Sequence, residues 1–262
     1  MLATSETCEI LGSRISLLDC DEVVSALCQR VAAGQGGYVC VSNVHTVMEG
    51  HQDPCFQSVT NGAALATADG MPLVWVSRWL GAAIHGRASG PDVMAKLFES
   101  EDGRRIPQYF LGSTPRVVQE LRDRLSARYE GINIVGVEAG PFYTVEELRA
   151  GKVTRRTDHA ALLQRVRASG ARLVWVGLGA PKQEYWMSLA SSSLPTAVFV
   201  GVGAAFDFLS GNKERAPVWM QKNGLEWLHR WSTEPRRLTS RYVKTNMMFI
   251  CAVARGFLRA KK

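Results

Sequence analysis

Two aspartates stand where a carboxylate can enter chemistry. Asp69 in TADGMP follows a short apolar run and precedes a glycine that permits a tight turn and then a helix start. A carboxylate there suits a turn or helix N-cap, and it equally suits a general base that takes the proton of an attacking hydroxyl. Asp207 in GAAFDFLSG lies inside an apolar segment, where a structural hydrogen bond competes with chemistry. Arg87 to Asp92, RASGPD, sets an arginine and a small-residue turn just before a helix. Such an arrangement holds a phosphate through guanidinium contacts and free backbone amides. GLGAPKQE looks like a phosphate-cradling glycine turn, yet it is neither GxGxxG in a dinucleotide context nor a Walker sequence, which weakens NAD and ATPase readings. Gln183 and Glu184 open the next helix, where they serve either a nucleotide or sugar, or only the helix itself.

Other chemistries find less support. His45, His51, His85, His159 and His229 show no HxxxH or related spacing, and no serine sits in a GxSxG elbow. Hydrolase and metalloenzyme readings fall accordingly. No DxD pair is evident to hold Mg²⁺ against a diphosphate, since Asp19-Cys20-Asp21 reads as the acidic start of a helix, so arginines would have to neutralise such a leaving group, with no metal or other cofactor expected. The six cysteines (Cys8, Cys20, Cys28, Cys40, Cys55, Cys251) form no CxxC pair and mostly lie in apolar runs. Free thiols in a reducing cytosol fit that pattern, and zinc does not.

The elements that would position these residues follow from periodicity. CEILGSRISLL predicts two short strands around Gly12-Ser13, and DCDEVVSALCQRVAAG a helix with an acidic start. Strand and helix then alternate: GYVCVSN, VHTVMEGHQ, LATADG, MPLVWVSRWLG, SGPDVMAKLFES with Pro91 in its first turn, QYFLGS, TPRVVQELRDRLSARY and INIVGVEAG. After a polar insertion, FYTVEELRAGKVTRRTD, come a helix from about His159 to Ser169, the strand ARLVWVGLGAP, the helix KQEYWMSLASSS and the strand TAVFVGVGAAFD. Strands nearly continuous in Val, Ile and Leu, separated by helices, imply a mostly parallel sheet covered on both faces, an α/β Rossmann-like arrangement. Its ligands belong beyond the carboxyl ends of the strands, where Asn43, Asp69, Ser113, Gly177 to Gln183 and Gly201 to Asp207 all fall.

That core is expected over 1–211, with a basic, aromatic, helical appendage over 212–262. At 262 residues, 46% hydrophobic and 21% charged, the chain has the composition of an ordinary folded protein. Its net charge of +7 is uneven. From Trp227 to the end, Arg230, Arg236, Arg237, Arg241, Lys244, Arg255, Arg259, Lys261 and Lys262 face a single acid, Glu234. An anionic partner is implied: nucleic acid, substrate phosphates or a membrane surface. MMFICAVA is too short to span a bilayer, and MLATSETCEILGSR has no signal-peptide pattern. A final helix over 238–262 would turn Tyr242, Met247, Met248, Phe249, Ile250 and Phe257 to a lipid interface, or pack on the protein's own core or on a second copy in a homo-oligomer. A nucleic-acid module lacks any recognition-helix, zinc-finger or RNP signature, and an oxidoreductase lacks its glycine fingerprint.

TADGMPLVW, RASGPDVM, VWVGLGAPKQEYWM, FVGVGAAFDFLSG, RAPVWMQKNGLEWLHRW and EPRRLTSRY, in that order, resemble the WecG/TagA/CpsF family of bacterial glycosyltransferases from about Val39 to Tyr242. The resemblance implies inverting transfer of a sugar from a UDP-sugar to a polyprenyl-diphosphate-linked saccharide at the cytoplasmic face of the inner membrane. The products would be exopolysaccharide, capsule, teichoic acid or common antigen, and SNVHT tracks exopolysaccharide-type members. By matching motif, Asp69 corresponds to the proposed general base, and Asn43, Arg87 and Gln183 to pocket residues. The basic tail corresponds to a membrane-docking appendage whose arginines, here Arg230, Arg236, Arg237 and Arg241, complete the site. Many members carry a threonine two residues before the pocket asparagine; this chain has Val41.

Overall fold

The Val-rich runs and the turns between them build one parallel sheet and one hairpin. The computed structural model describes residues 6–233 and 245–256, and of Arg230 the backbone alone. β1 (Thr7–Ile10) and β2 (Ser13–Ser16) pair antiparallel across Leu11-Gly12, both at positive φ. β3 (Gly37–Ser42), β4 (Leu65–Ala68), β5 (Gln108–Gly112), β6 (Ile134–Glu138), β7 (Leu173–Gly177) and β8 (Val198–Gly201) form a six-stranded sheet in the order β4-β3-β8-β7-β5-β6. Every pairing within it is parallel. The Rossmann-like α/β architecture expected from the sequence is therefore the one observed.

The strands read as unbroken apolar runs because both faces of the sheet are covered. Val39, Val41, Phe110, Trp175, Val198 and Val200 pack on one face with the helices Cys20–Ala32, Gly90–Glu99 and Pro115–Arg128. Their neighbours Tyr38, Cys40, Tyr109, Leu111, Val174, Val176 and Phe199 pack on the other with Thr157–Ala168 and Lys182–Ser193. The Trp175 indole is fully buried, and its N–H donates to Gln108 Oε1 at 2.7 Å, so its polar edge is satisfied. Truncating such a side chain to alanine costs about 3–5 kcal/mol.

Shorter elements escaped the periodicity. The helix Pro54–Asn61 has only two turns and is set by local chemistry, with Asp53 accepting from the Cys55 amide and Pro54 opening the helix. The polar insertion holds a capped helix, Val145–Arg149, and a 3₁₀ turn, Lys152–Arg155. Residues beyond Gly211 add the helices Val218–Lys222 and Glu226–Thr233 and a helix at 245–256.

Of the alternatives the sequence leaves open for the last of these, packing on the chain's own core is the one observed. Phe249 is buried among Ile10, Ile15, Met48, Leu73 and Ile84, and Met248 and Val253 pack against the same cluster. Helical spacing explains it: Phe249 and Val253 are four residues apart on one face, while Met247 and Ile250 lie on the other and stay exposed. The helix thus packs on the chain's own core. Arg236, Arg237, Arg241, Tyr242 and Phe257 lie outside the described residues.

Candidate active site

Strand register assembles the carboxyl edge. Ser42 pairs with Ala68, so the next residues, Asn43 and Asp69, leave β3 and β4 side by side, and the Asp69 N–H donates to Ser42 O at 2.8 Å. The chain then returns to the same place. Ala88 N–H donates to Ala68 O at 2.8 Å, and Thr67 Oγ1 donates to Ala88 O at 3.1 Å, which fixes the RASGPD loop against the end of β4. A Cβ on Gly90 would lie 3.0 Å from Val202 O, so a side chain there would press the start of the helix Gly90–Glu99 away from the end of β8 by a few tenths of an ångström.

Helix starts give the edge its polarity. Met71–Trp79, Gly90–Glu99 and Lys182–Ser193 all begin along it, and none has a side-chain cap on its first amides. Uncapped N–H groups and the positive ends of three helix dipoles favour an anionic group. Asn43 is employed differently: its Oδ1 caps Val44–Gln52, accepting from the His45 and Thr46 amides at 3.0 and 3.2 Å. Only its amide nitrogen is left to face a ligand.

Gln183 is buried and ties two glycine turns together. Its Oε1 accepts from Gly179 N–H at 3.2 Å, after β7, and from Gly203 N–H at 3.1 Å, after β8. Its Nε2 donates to Glu184 Oε1 at 2.9 Å, which fixes which way the amide points. Glu184 itself is 1% exposed, and its Oε2 has no partner. Burial pushes its carboxyl up to about 7, against the smaller opposing effects of the Gln183 and backbone hydrogen bonds. The glycine turn of GLGAPKQE thus spends its Gly179 amide on Gln183, and the turn after β8 spends that of Gly203.

Arg87 stands at the centre of an ion cluster that joins the loop to the C-terminal helices. It donates to Glu226 Oε2 at 2.8 Å, to Gln221 Oε1 at 2.9 Å and to Asp92 Oδ2 at 3.2 Å. Arg215 completes the cluster with a two-pronged contact to Asp92 at 2.6 and 2.8 Å, and it donates to Ser89 Oγ at 3.0 Å. Burial would raise the Asp92 carboxyl, yet the Arg215 and Ser89 hydrogen bonds outweigh it and hold the group below the usual carboxylate range. For Arg215 burial works against the charge, and Asp92, Glu226 and also Asp69 more than compensate. The general-base candidate therefore lies within the field of this cluster. Asp207 pairs elsewhere, with Lys213 at 3.7 Å.

The structure thus brings Asp69, Asn43 and Arg87 to one edge and sets Gln183 beneath its glycine turns. Sequence reasoning missed Arg215 and Glu226 as individuals, although RAPVW and GLEW were singled out, and it named Glu184 only as a polar group opening its helix. Charged residues inside such apolar blocks, off any solvated helix face, were the available signal. Among the described residues no group of three His, Cys, Asp or Glu is placed to hold a metal ion, and no helix is long and apolar enough to cross a membrane.

Comparison with known proteins agrees with this architecture. Residues 8–262 match the family model described as the glycosyl transferase WecG/TagA/CpsF family. Over 203 residues the chain is 30% identical to an N-acetylglucosaminyldiphosphoundecaprenol N-acetyl-beta-D-mannosaminyltransferase of Bacillus spizizenii, an alignment covering 78% of this chain and 74% of that protein.

Proposed function

The chain belongs to the WecG/TagA/CpsF family of glycosyl transferases, and from that premise we propose that it moves a sugar from a UDP-sugar to a polyprenyl-diphosphate-linked saccharide, with inversion, in the synthesis of a cell-surface polysaccharide. The observation that carries this reading is Asp69, a carboxylate at the end of β4 beside Asn43, on an edge where three uncapped helices begin. The Bacillus relative, whose named acceptor is a sugar on diphosphoundecaprenol, supports the acceptor class.

In this reading the Asp69 carboxylate takes the proton of an acceptor hydroxyl as that oxygen bonds to C1 of the donor sugar. The bond from C1 to the diphosphate breaks on the opposite face, and UDP departs. Arg87 is already matched by Glu226 and Asp92. Much of the leaving charge therefore falls to the helix amides and to the tail arginines Arg230, Arg236, Arg237 and Arg241, with no divalent metal. The acceptor's lipid calls for work at a membrane surface, on the cytoplasmic face. Trp75 (48% exposed) and Trp79 (62% exposed) sit on the helix that starts two residues after Asp69, and Trp219 is exposed nearby in sequence to the site-forming Arg215 and Gln221. Tryptophan suits the lipid–water boundary, and the chain's net charge of +7 suits anionic headgroups. Nucleic acid has no place in this mechanism. The test is UDP release from a panel of UDP-sugars, UDP-N-acetylmannosamine included, with and without a synthetic N-acetylglucosaminyl-diphospholipid. Acceptor-dependent release by one sugar is the expected result; release by none, with folded protein on vesicles, overturns the proposal.

A further inference from the structure

The chain from 217 to 233 is held to the core in an unusual way. Among its described side chains none is fully buried: the helix Val218–Lys222 has no buried residue, Val218 and Trp219 are mostly exposed, and Trp227 and Trp231 are more than a third exposed. Apolar burial, the usual fastening of a surface helix, is thus weak here. The segment carries polar ties instead. Glu226 meets Arg87 at 2.8 Å and Arg215 at 3.6 Å, Gln221 accepts from Arg87 at 2.9 Å, and Arg215, just upstream, grips Asp92 and Ser89. The side chains of Arg87, Arg215, Glu226 and Asp92 are 14 to 32% exposed, so water screens them only in part. Two cations and two anions make the cluster neutral, which lets it sit between the loop and the helices without an uncompensated charge.

We propose that Arg215, Asp92 and Glu226 form an electrostatic latch that closes the C-terminal helices over the Asp69 edge, with Arg215 and Glu226 as positioning residues that act by keeping this segment shut. The latch joins an opening equilibrium of the segment to the pocket below it. A substrate that binds the closed form alone binds more weakly by the fraction closed, and at saturation it pulls the segment shut again. Weakening the latch therefore raises KM and spares kcat, whereas loss of a group acting on the reacting atoms lowers kcat. This kinetic consequence rests on the transferase reading; the latch itself does not.

The test is made on the full-length protein with Arg215→Ala, Arg215→Lys and Glu226→Gln, and with Lys222→Gln, an exposed residue of the same segment outside the cluster, as control. Chymotrypsin, which cuts after tryptophan, reports the open fraction when opening is fast relative to cleavage. Leaving one partner of a partly buried pair unmatched is expected to speed cleavage at Trp219, Trp227 and Trp231 by roughly 30-fold or more in Arg215→Ala and Glu226→Gln. Arg215→Lys should recover part of the protection, Lys222→Gln should cut at the native rate, and the melting of the α/β core should be unchanged. Cleavage in the two disrupting variants at the native rate overturns the latch, as does a fall in core melting that accounts for the faster cutting. In the transfer assay with UDP-N-acetylmannosamine and the N-acetylglucosaminyl-diphospholipid, a KM rise with kcat retained is expected. A loss of kcat with KM unchanged overturns the positioning role. Proteolysis needs no substrate, so a failed transferase reading and a failed latch give separate results.

Discussion

Glu184 makes the stability of this fold depend on pH in a direction opposite to that of most surface acids. Its carboxyl is 1% exposed and is pushed from the ordinary 4.5 up to about 7 by burial. Between those two values the folded protein holds a proton that the unfolded chain has released, so each rise in pH favours the unfolded state. One pKa unit corresponds to about 1.4 kcal/mol, and integrating from pH 5 to pH 8 gives a loss of about 2–3 kcal/mol. For a chain of this size that is roughly 5–10 °C in Tm. Glu184→Gln keeps the shape and an oxygen to accept from Gln183 but cannot ionise. Denaturant unfolding of both proteins at pH 5, 6, 7 and 8 isolates the effect, because other titrating groups cancel in the difference. Relative to the variant, the native protein should lose about 2–3 kcal/mol over that range, with most of the loss complete by pH 7.5. A difference that stays flat with pH, or that grows in the native protein's favour, refutes the argument that this carboxyl is desolvated and uncompensated.

Asp69→Asn should lower transfer by on the order of 10²–10⁴ while leaving the melting curve and UDP binding in place, checked by UDP release and calorimetry; near-native turnover would move the base to another group. Chelation with EDTA should leave the transfer rate unchanged, and loss of activity restored by Mg²⁺ or Mn²⁺ would overturn the metal-free leaving-group assignment. Gly201→Ala should destabilise the protein by about 1–3 kcal/mol in denaturant unfolding. The added Cβ would stand 2.7 Å from Met187 Cε and 2.9 Å from Gln183 Nε2, in the middle of the glycine-turn clamp. Trp75→Ala with Trp79→Ala should weaken flotation with phosphatidylglycerol vesicles without unfolding the protein, and unaltered flotation would remove these tryptophans from the membrane-facing surface.

The alternation of strands and helices was legible because each element is periodic over its own few residues, as in GYVCVSN, which overruns β3 by one residue, and VHTVMEGHQ, whose bounds match the following helix. Strand order was not, since β3 meets β8 across about 160 positions of chain and nothing local encodes that choice. The same distance hid the ion cluster. Arg87 and Glu226 are 139 residues apart and Arg215 and Asp92 are 123 apart, so Arg87 reads alone as a phosphate contact and nothing local names its ionic partners. Asp69 stood out because strand, carboxylate, glycine and helix start are adjacent in sequence. Gln183 was noticed for the same reason, but its direction was not: only the fold reveals that its oxygen serves two backbone amides. The side taken by Phe249 was left open because MMFICAV is apolar on every side, and the tie was broken by a core cluster built from residues near the other end of the chain.

The sheet order carries a consequence for how the chain must be made. β8 lies between β3 and β7, so among the described residues the β4-β3 half and the β7-β5-β6 half of the sheet meet only through the strand of this sheet that leaves the ribosome last. Until Val198–Gly201 arrives, β3 and β7 each present a row of unpaired backbone groups on a largely apolar strand, the kind of template on which nascent chains aggregate. Completion of the fold is therefore a late, long-range event with a large loop-closure cost, and the rate-limiting step in refolding should be insertion of β8. Conservative truncations within Val198 and Val200 should slow refolding more than similar changes in β6, which only adds to an outer edge.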